Sequence, residues 1–281
     1  MAVVVPVPKP HASRDGSHLH AGCRFSYQIR GEGPPVIFIQ GLSIHGGAWA
    51  PQIDALAAHY ECLSFDNRGL GCSQPLGARL TIEQMAADTF ALMDAQNWPS
   101  AHLVGQSMGG LIALQMALSA RHRMRSLSLL CSFPRGRDVL PARPGMLFAW
   151  LRTRIGTKPQ RRRALLEIVM PASVMAAADC NQLASELAPI FGHDLADYSP
   201  VYARQLSALV RYDATARLGE LAGLPTLVVN ATHDRISPPE VGRKMAAAIP
   251  GARFVEIPDA SHAAAIQHAA RVNALLLEHF G

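Results

Sequence analysis

Two patterns of apolar and polar residues alternate along most of this chain. One is a short run that is apolar throughout or at every second residue. The other places apolar residues at every third or fourth position. Val36-Ile37-Phe38-Ile39 is wholly apolar and predicts a central strand covered on both faces. Cys23–Ile29 alternates and predicts an edge strand, with a turn over Arg30–Pro35. A helix is expected from about Ala48 to Tyr60, a strand over Glu61–Phe65, and a helix running from its N-cap Thr81 to Asn97. A strand ending at Gln106, a helix over 108–120 and a strand over Leu127–Cys131 continue the series. Beyond Phe133 the alternation stops. Up to about Arg211 no strand is expected, and Leu147–Ile155, Arg162–Met170, Cys180–Phe191 and Pro200–Val210 have helical spacing. The rhythm returns with a strand at Thr226–Asn230, a helix over 238–249, a strand over 252–257 and a final helix from about His262 to Phe280.

Repeated strand–helix units predict an α/β fold with a mostly parallel central sheet and helices on both faces. The core is expected to comprise 21–133 and 212–281, interrupted by an all-helical insertion over 134–211. Residues 1–20 are rich in Pro, His and Ser and read as a loose N-terminal arm. A hydrophobic fraction of 49% over 281 residues suffices for a large core. No apolar run reaches the ~18 residues of a membrane span. The first ten residues lack a basic start and are broken by prolines, so no secretory leader is read and a cytoplasmic location is expected. Five scattered cysteines without a C-x-x-C pair agree with free thiols in a reducing compartment.

Charge changes this picture in one place. The net charge of +5 is carried by the segment 135–163, which holds nine basic residues against Asp138 alone. The rest of the chain has 17 basic and 20 acidic residues. Such a run is ordinarily a solvated helical face, and it could also receive an anionic substrate, an acidic partner or a membrane face. Aromatic residues are too sparse here to suggest nucleic acid.

The candidate chemistry centres on Gly105-Gln106-Ser107-Met108-Gly109, which lies where a strand turns directly into a helix. In a Gly-x-Ser-x-Gly turn this tight, only small residues fit two positions to either side of the serine, and the strain lifts its hydroxyl above the sheet edge. A serine hydroxyl needs a base, and the base needs an orienting acid. His262 follows the last strand and is the expected base. Asp234 follows the strand before it and is the expected acid. Asp259 and Asp66 are the rival acids. Asp259 reads as a turn residue, and Asp66 is expected to tie the glycine-rich turn together with Arg68. No His/Cys cluster has ligand spacing along the chain, so neither metal nor cofactor is implied.

On these residues the chain resembles the α/β-hydrolase superfamily, and within it the capped esterases and lactonases such as 3-oxoadipate enol-lactonases. Asp66-Asn-Arg-Gly-Leu-Gly-Cys-Ser73 is similar to the family's D-x-R-G-x-G-x-S turn, and Gly105–Gly110 to its nucleophile elbow. The stretch 224–239 with 249–254 resembles the end of those enzymes. The resemblance implies an α/β-hydrolase fold with a helical cap, and an oxyanion hole made by the backbone N–H groups of Leu42 and Met108. Where the family has His-Gly after its third strand, this chain has Gln40-Gly41. The glutamine amide can still brace the loop. His45-Gly46-Gly47 does not follow the strand directly and is not read as the oxyanion motif.

The insertion occupies the cap position, so Met146, Trp150, Phe191 and Tyr202 are candidate pocket residues. The activity implied is hydrolysis of small to medium carboxylic esters or lactones through an acyl-enzyme on Ser107. The same three residues could serve a C–C bond hydrolase, a cofactor-free perhydrolase or a thioesterase, and a non-catalytic binding protein of the same fold would not need all three. The expected partner is a small-molecule ester or lactone, not a nucleic acid, and a homodimer is left open.

Overall fold

The computed structural model describes residues 13–77, 79–139 and 144–281. Eight strands form one sheet: β1 (Ser13–His20), β2 (Cys23–Arg30), β3 (Pro35–Ile39), β4 (Glu61–Phe65), β5 (Ala101–Gln106), β6 (Met124–Leu130), β7 (Thr226–Ala231) and β8 (Arg253–Ile257). Their spatial order is β1-β2-β4-β3-β5-β6-β7-β8. β1 and β2 run antiparallel to each other and β2 antiparallel to β4, and every other neighbouring pair is parallel. The period of two sorts the central strands between two cores. Ile37 and Ile39 of β3 face one side of the sheet, and Val36 and Phe38 face the other.

Helices cover both sides, which is why these runs are apolar without a break. α2 (Ile82–Ala95), α3 (Met108–Ser119) and α9 (Pro239–Ala248) close one core, which contains Met85, Leu111 and Met245. α1 (Ala50–Leu56) and the C-terminal α11 (Ala269–Phe280) close the other with Ile53, Leu275 and Leu276. Thr81 caps α2 by accepting a hydrogen bond from the Gln84 N–H at 3.0 Å.

Between β6 and β7 lie α4 (Pro144–Arg152), α5 (Lys158–Val169), α6 (Ala172–Ala177), α7 (Cys180–Phe191) and α8 (Tyr202–Arg211). α5 and α7 share a third core built on Leu166, Ile168, Leu183 and Leu187. No helix among the described residues is long and apolar enough to cross a membrane.

Three expectations are corrected. Residues 13–20 are not a loose arm. They form the edge strand β1, so β2 is the second strand in. Ala21 and Gly22, at φ 45° and 75°, make the two-residue turn that joins them, and all eight residues of β1 pair with β2. The polar composition of β1 hid it, because a solvated edge needs no apolar alternation. The first expected helix is shorter than its pattern: a 3₁₀ turn over Gly46–Trp49 leads into α1. The last helix is broken into α10 (Ala264–Gln267) and α11, because His268 takes non-helical angles, φ −120° and ψ 40°.

Candidate active site

The parallel strands deliver their carboxyl ends to one edge of the sheet, and each expected residue follows a strand there. Gln40 follows β3, Ser107 follows β5, Asp234 lies just beyond β7 and His262 beyond β8. Ser107 sits at φ 53° and ψ −120°, a strained conformation for a residue with a side chain. Close packing demands it. A Cβ on Gly109 would lie 2.0 Å from the Ile39 carbonyl oxygen, and one on Gly105 would lie 2.4 Å from that of Gly109. Ser107 precedes α3 without using its hydroxyl as a cap, so the hydroxyl stays available.

His262 Nδ1 and Asp234 Oδ2 are 2.8 Å apart. The other Asp234 oxygen accepts the N–H groups of Ile236 at 2.8 Å and Ser237 at 2.9 Å, which fixes the carboxylate. The two loops are knitted together as well. The His233 N–H donates to the Ala260 carbonyl at 2.9 Å, and the Ser261 hydroxyl donates to the His233 carbonyl at 3.1 Å. Gln106, directly before the serine, donates its amide to the His262 carbonyl at 2.9 Å. Ser107 and His262 line one cavity, and their side chains are not hydrogen-bonded to each other in this structure. Such contacts in a free enzyme are often loose and tighten around substrate.

Gln40 is buried, and its side-chain oxygen accepts the N–H of its neighbour Gly41 at 3.1 Å. Asn67 of the glycine-rich turn donates to the Gln40 carbonyl at 3.2 Å. Gly41 lies against the serine: a Cβ there would come within 3.4 Å of the Ser107 Cβ. Leu42 lines the cavity, and Met108 opens α3. His45-Gly46 lies elsewhere, tied to Asp66 through the His45 ring at 3.3 Å and the Gly46 N–H at 2.9 Å. Burial pushes the Asp66 carboxyl up, but His45 and the N–H groups of Gly46 and Cys72 outweigh it and hold it below its ordinary range. Of the two residues expected to tie the glycine-rich turn together, Asp66 holds the Cys72 N–H of that turn, whereas the expectation for Arg68 is corrected: it reaches out of the turn. Arg68 makes a buried two-pronged pair with Asp88 of α2 and donates to the carbonyls of His20 and Ala21.

The cavity has a volume of about 210 Å³ and is mostly apolar. Trp150, Phe191 and Tyr202 line it, as do Leu165, Val169 and Ile236. Met146 does not, and its expected pocket role is corrected. Met146 opens onto a neighbouring groove with Met175 and Arg235, and only the later part of α4, at Trp150, reaches the Ser107 cavity.

Three supporting residues escaped sequence reading. Ser132 donates to the Ser107 carbonyl at 2.9 Å, and Ser237 donates to the Ser132 carbonyl at 2.7 Å, bracing the elbow from the Asp234 loop. Cys131 is buried beside Asp234 and lies with it and His262 within 4.8 Å, a trio of metal-ligand type that sequence spacing concealed. The donor set does not suit a cation. Burial and the neighbouring Asp234 push the Cys131 thiol well up, which keeps it protonated, and the Asp234 oxygens are already engaged. In the sequence Cys131 and Ser132 are marked only as small residues directly after a strand, and Ser237 by nothing local.

Comparison with known proteins agrees with this fold. A family model described as alpha/beta hydrolase fold matches residues 34–269. The chain is 32% identical over 263 residues to a Variovorax paradoxus protein named "Putative carbamate hydrolase RutD", covering 90% of this chain and 94% of that one. Among solved structures it resembles the enol-lactonase of Burkholderia xenovorans LB400, with a TM-score of 0.79 and 28% identity over 94% of this chain and 99% of the other. It also resembles a thermophilic esterase from Thermogutta terrifontis, with a TM-score of 0.75 and 26% identity over 94% and 97%.

Proposed function

This chain is a hydrolase of the alpha/beta hydrolase fold family, and we propose that within it the protein cleaves carboxylic esters or lactones through an acyl-enzyme on Ser107. The observation that carries this reading is the Asp234–His262 pair at 2.8 Å, whose His262 lies on the cavity wall that also holds the strained Ser107. In the proposed cycle the Ser107 hydroxyl attacks the carbonyl carbon, and His262 takes its proton and passes it to the leaving alcohol. Asp234 holds the ring in the tautomer that presents Nε2 to the serine and stabilises the imidazolium. The backbone N–H groups of Leu42 and Met108 receive the oxyanion, each worth roughly 10²–10³ in rate. Water, activated by His262, then releases the acid.

The apolar lining supports an acyl or alcohol part without charge. The names of the relatives support acyl-transfer substrates with an ester, lactone or carbamate carbonyl. The test is a panel of p-nitrophenyl esters, lactones and carbamates offered to the wild type and to Ser107→Ala. Esters or lactones should be turned over with the highest kcat/KM, and Ser107→Ala should lose at least about 10⁴-fold. Hydrolysis that survives Ser107→Ala would overturn the mechanism. A clear preference for carbamates would replace the substrate class and leave the mechanism intact.

A further inference from the structure

Six large hydrophobic side chains are exposed among the described residues, and four of them stand together on α4 and the turn that follows it: Leu147 at 51%, Phe148 at 64%, Leu151 at 46% and Ile155 at 69%. Leu147, Leu151 and Ile155 are spaced four apart, with Phe148 three before Leu151, so all four share one stripe of the helix. The Ile155 N–H donates to the Leu151 carbonyl at 3.2 Å, which carries the helical path one turn beyond Arg152. The other side of α4 is already used. Trp150 lines the Ser107 cavity, Ala149 packs against the cap core, and Thr153 is buried against Tyr198. The outer stripe is therefore surplus to the fold.

Its surroundings are cationic. Residues 144–163 carry six basic side chains and no acidic one. Three carboxylates from neighbouring elements, Glu167, Asp194 and Asp197, pair with five of the six, and Arg154 lies over the rings of Tyr198 and Tyr202. A positive excess remains around the stripe, with Arg152, Lys158 and Arg163 about half exposed.

We propose that the α4 stripe with its basic surround is a docking surface for an anionic lipid interface, on which the helix lies with Leu147, Phe148, Leu151 and Ile155 among the acyl chains. An apolar stripe flanked by arginines is the pattern of a helix that lies in an interface, with apolar area supplying depth and the cations supplying attraction to lipid phosphates. Charge decides against a second copy of this chain. A symmetric contact would set the same cationic excess against itself. The inference stands apart from the hydrolytic reading, but the two meet in α4: the helix that would lie on the lipid also walls the Ser107 cavity through Trp150.

The test is co-sedimentation of the full chain with vesicles of phosphatidylcholine alone and with ~30% phosphatidylglycerol, which gives a surface potential that the cations feel. Binding is read as protein in the pellet, so its outcome does not depend on hydrolysis. The wild type should bind the anionic vesicles several-fold more than the neutral ones, and less as salt rises. Phe148→Ser with Ile155→Ser should weaken binding at least about tenfold, with p-nitrophenyl ester turnover unchanged, since neither residue lines the cavity. Absence of binding, equal binding to both vesicle types, or binding unaffected by the double substitution would each overturn the proposal. So would a dimer in light scattering that the double substitution breaks while vesicles go unbound, which would make a second copy the occupant.

Discussion

At Gly109 a single hydrogen atom decides whether the elbow can form. A methyl group there would meet the β3 backbone at Ile39, which cannot move without disturbing the centre of the sheet. Gly109→Ala should cost about 3 kcal/mol of stability, read as a lower urea midpoint at unchanged m-value. Asp234 is constrained in a different way. One of its oxygens accepts two backbone N–H groups and the other accepts the His262 ring, so every position around it requires an acceptor. An amide must turn its NH₂ group toward a donor on one side or the other. Asp234→Asn should keep the fold and lower kcat by about 10⁴, measured on the best ester of the panel. Gln40 acts through its neighbour. Its side-chain oxygen is the acceptor that holds the Gly41 N–H, and with it the path of the chain into Leu42. Gln40→Leu removes that acceptor and should lower kcat about tenfold with KM within twofold, because the oxyanion donors matter most in the transition state. Gln40→His, which restores a ring nitrogen able to accept, should recover most of the loss.

At the scale of elements, β5 and α11 meet in an aromatic cluster that makes the fold sensitive to acid. His102 of β5 is buried between Phe280, at 4.4 Å between ring centres, and Tyr60, at 5.9 Å. Burial lowers its pKa to about 4, with the nearby Arg125 and His279 pushing the same way. Burial also lowers that of His279. The unfolded chain binds the His102 proton near pH 6.5 and the folded chain only near 4, so stability is full above about 6.5 and falls as the pH drops toward 4, with His279 acting in the same direction. Allowing for partial screening by solvent, His102 alone should account for about 2 kcal/mol of that loss. Urea titrations at pH 7.5 and 5 should show it, and His102→Phe should flatten the difference. The cluster also shows what the sequence reveals at this scale. β3, β5 and β7 are legible because both faces are covered and most positions are apolar. β1 is not, because it is held by backbone pairing with β2 and by polar contacts such as Asp15 with Gln28 and His20 with Asp88, none of which imposes an apolar pattern. The three loops holding Ser107, Asp234 and His262 were legible from chain order alone, since parallel strands must end at one edge. The serine braces were not: Ser237 reaches Ser132 across 105 residues of chain, and no local spacing encodes such a contact. Met146 and Trp150 differ by one helical turn, and which of them meets the cavity depends on where α4 lies over the core, which periodicity does not specify.

For the molecule as a whole, the helical insertion does more than cover the sheet edge. Its core, around Leu166, Leu183 and Leu187, continues without a break into Ala263, next to His262, and into Ile236 of the Asp234 loop. The C-terminal end of α5 accepts hydrogen bonds from both loops: the Val169 carbonyl accepts the Ala263 N–H at 3.2 Å, and the Glu167 carbonyl accepts from Arg235 at 3.4 Å. The loops carrying the acid and the base are thus clamped between the sheet and the cap, and packing in the cap should bear on chemistry as well as on substrate fit. A pair of equal truncations separates the two effects. Leu187→Ala opens a hole in the cap core and Leu92→Ala opens one in α2, on the sheet face served by the other large core; both leucines are fully buried. Each should cost about 3 kcal/mol of stability. With p-nitrophenyl acetate, whose acyl group is too small to need the cavity walls, Leu92→Ala should leave kcat within twofold of the wild type. Leu187→Ala should lower it about tenfold, because a loosened Ala263 and Ile236 let the His262–Asp234 pair drift from the geometry that Ser107 requires. Equal kcat in the two variants, each measured well below its own Tm, would reduce the cap to a lid over a site that the sheet alone holds in place.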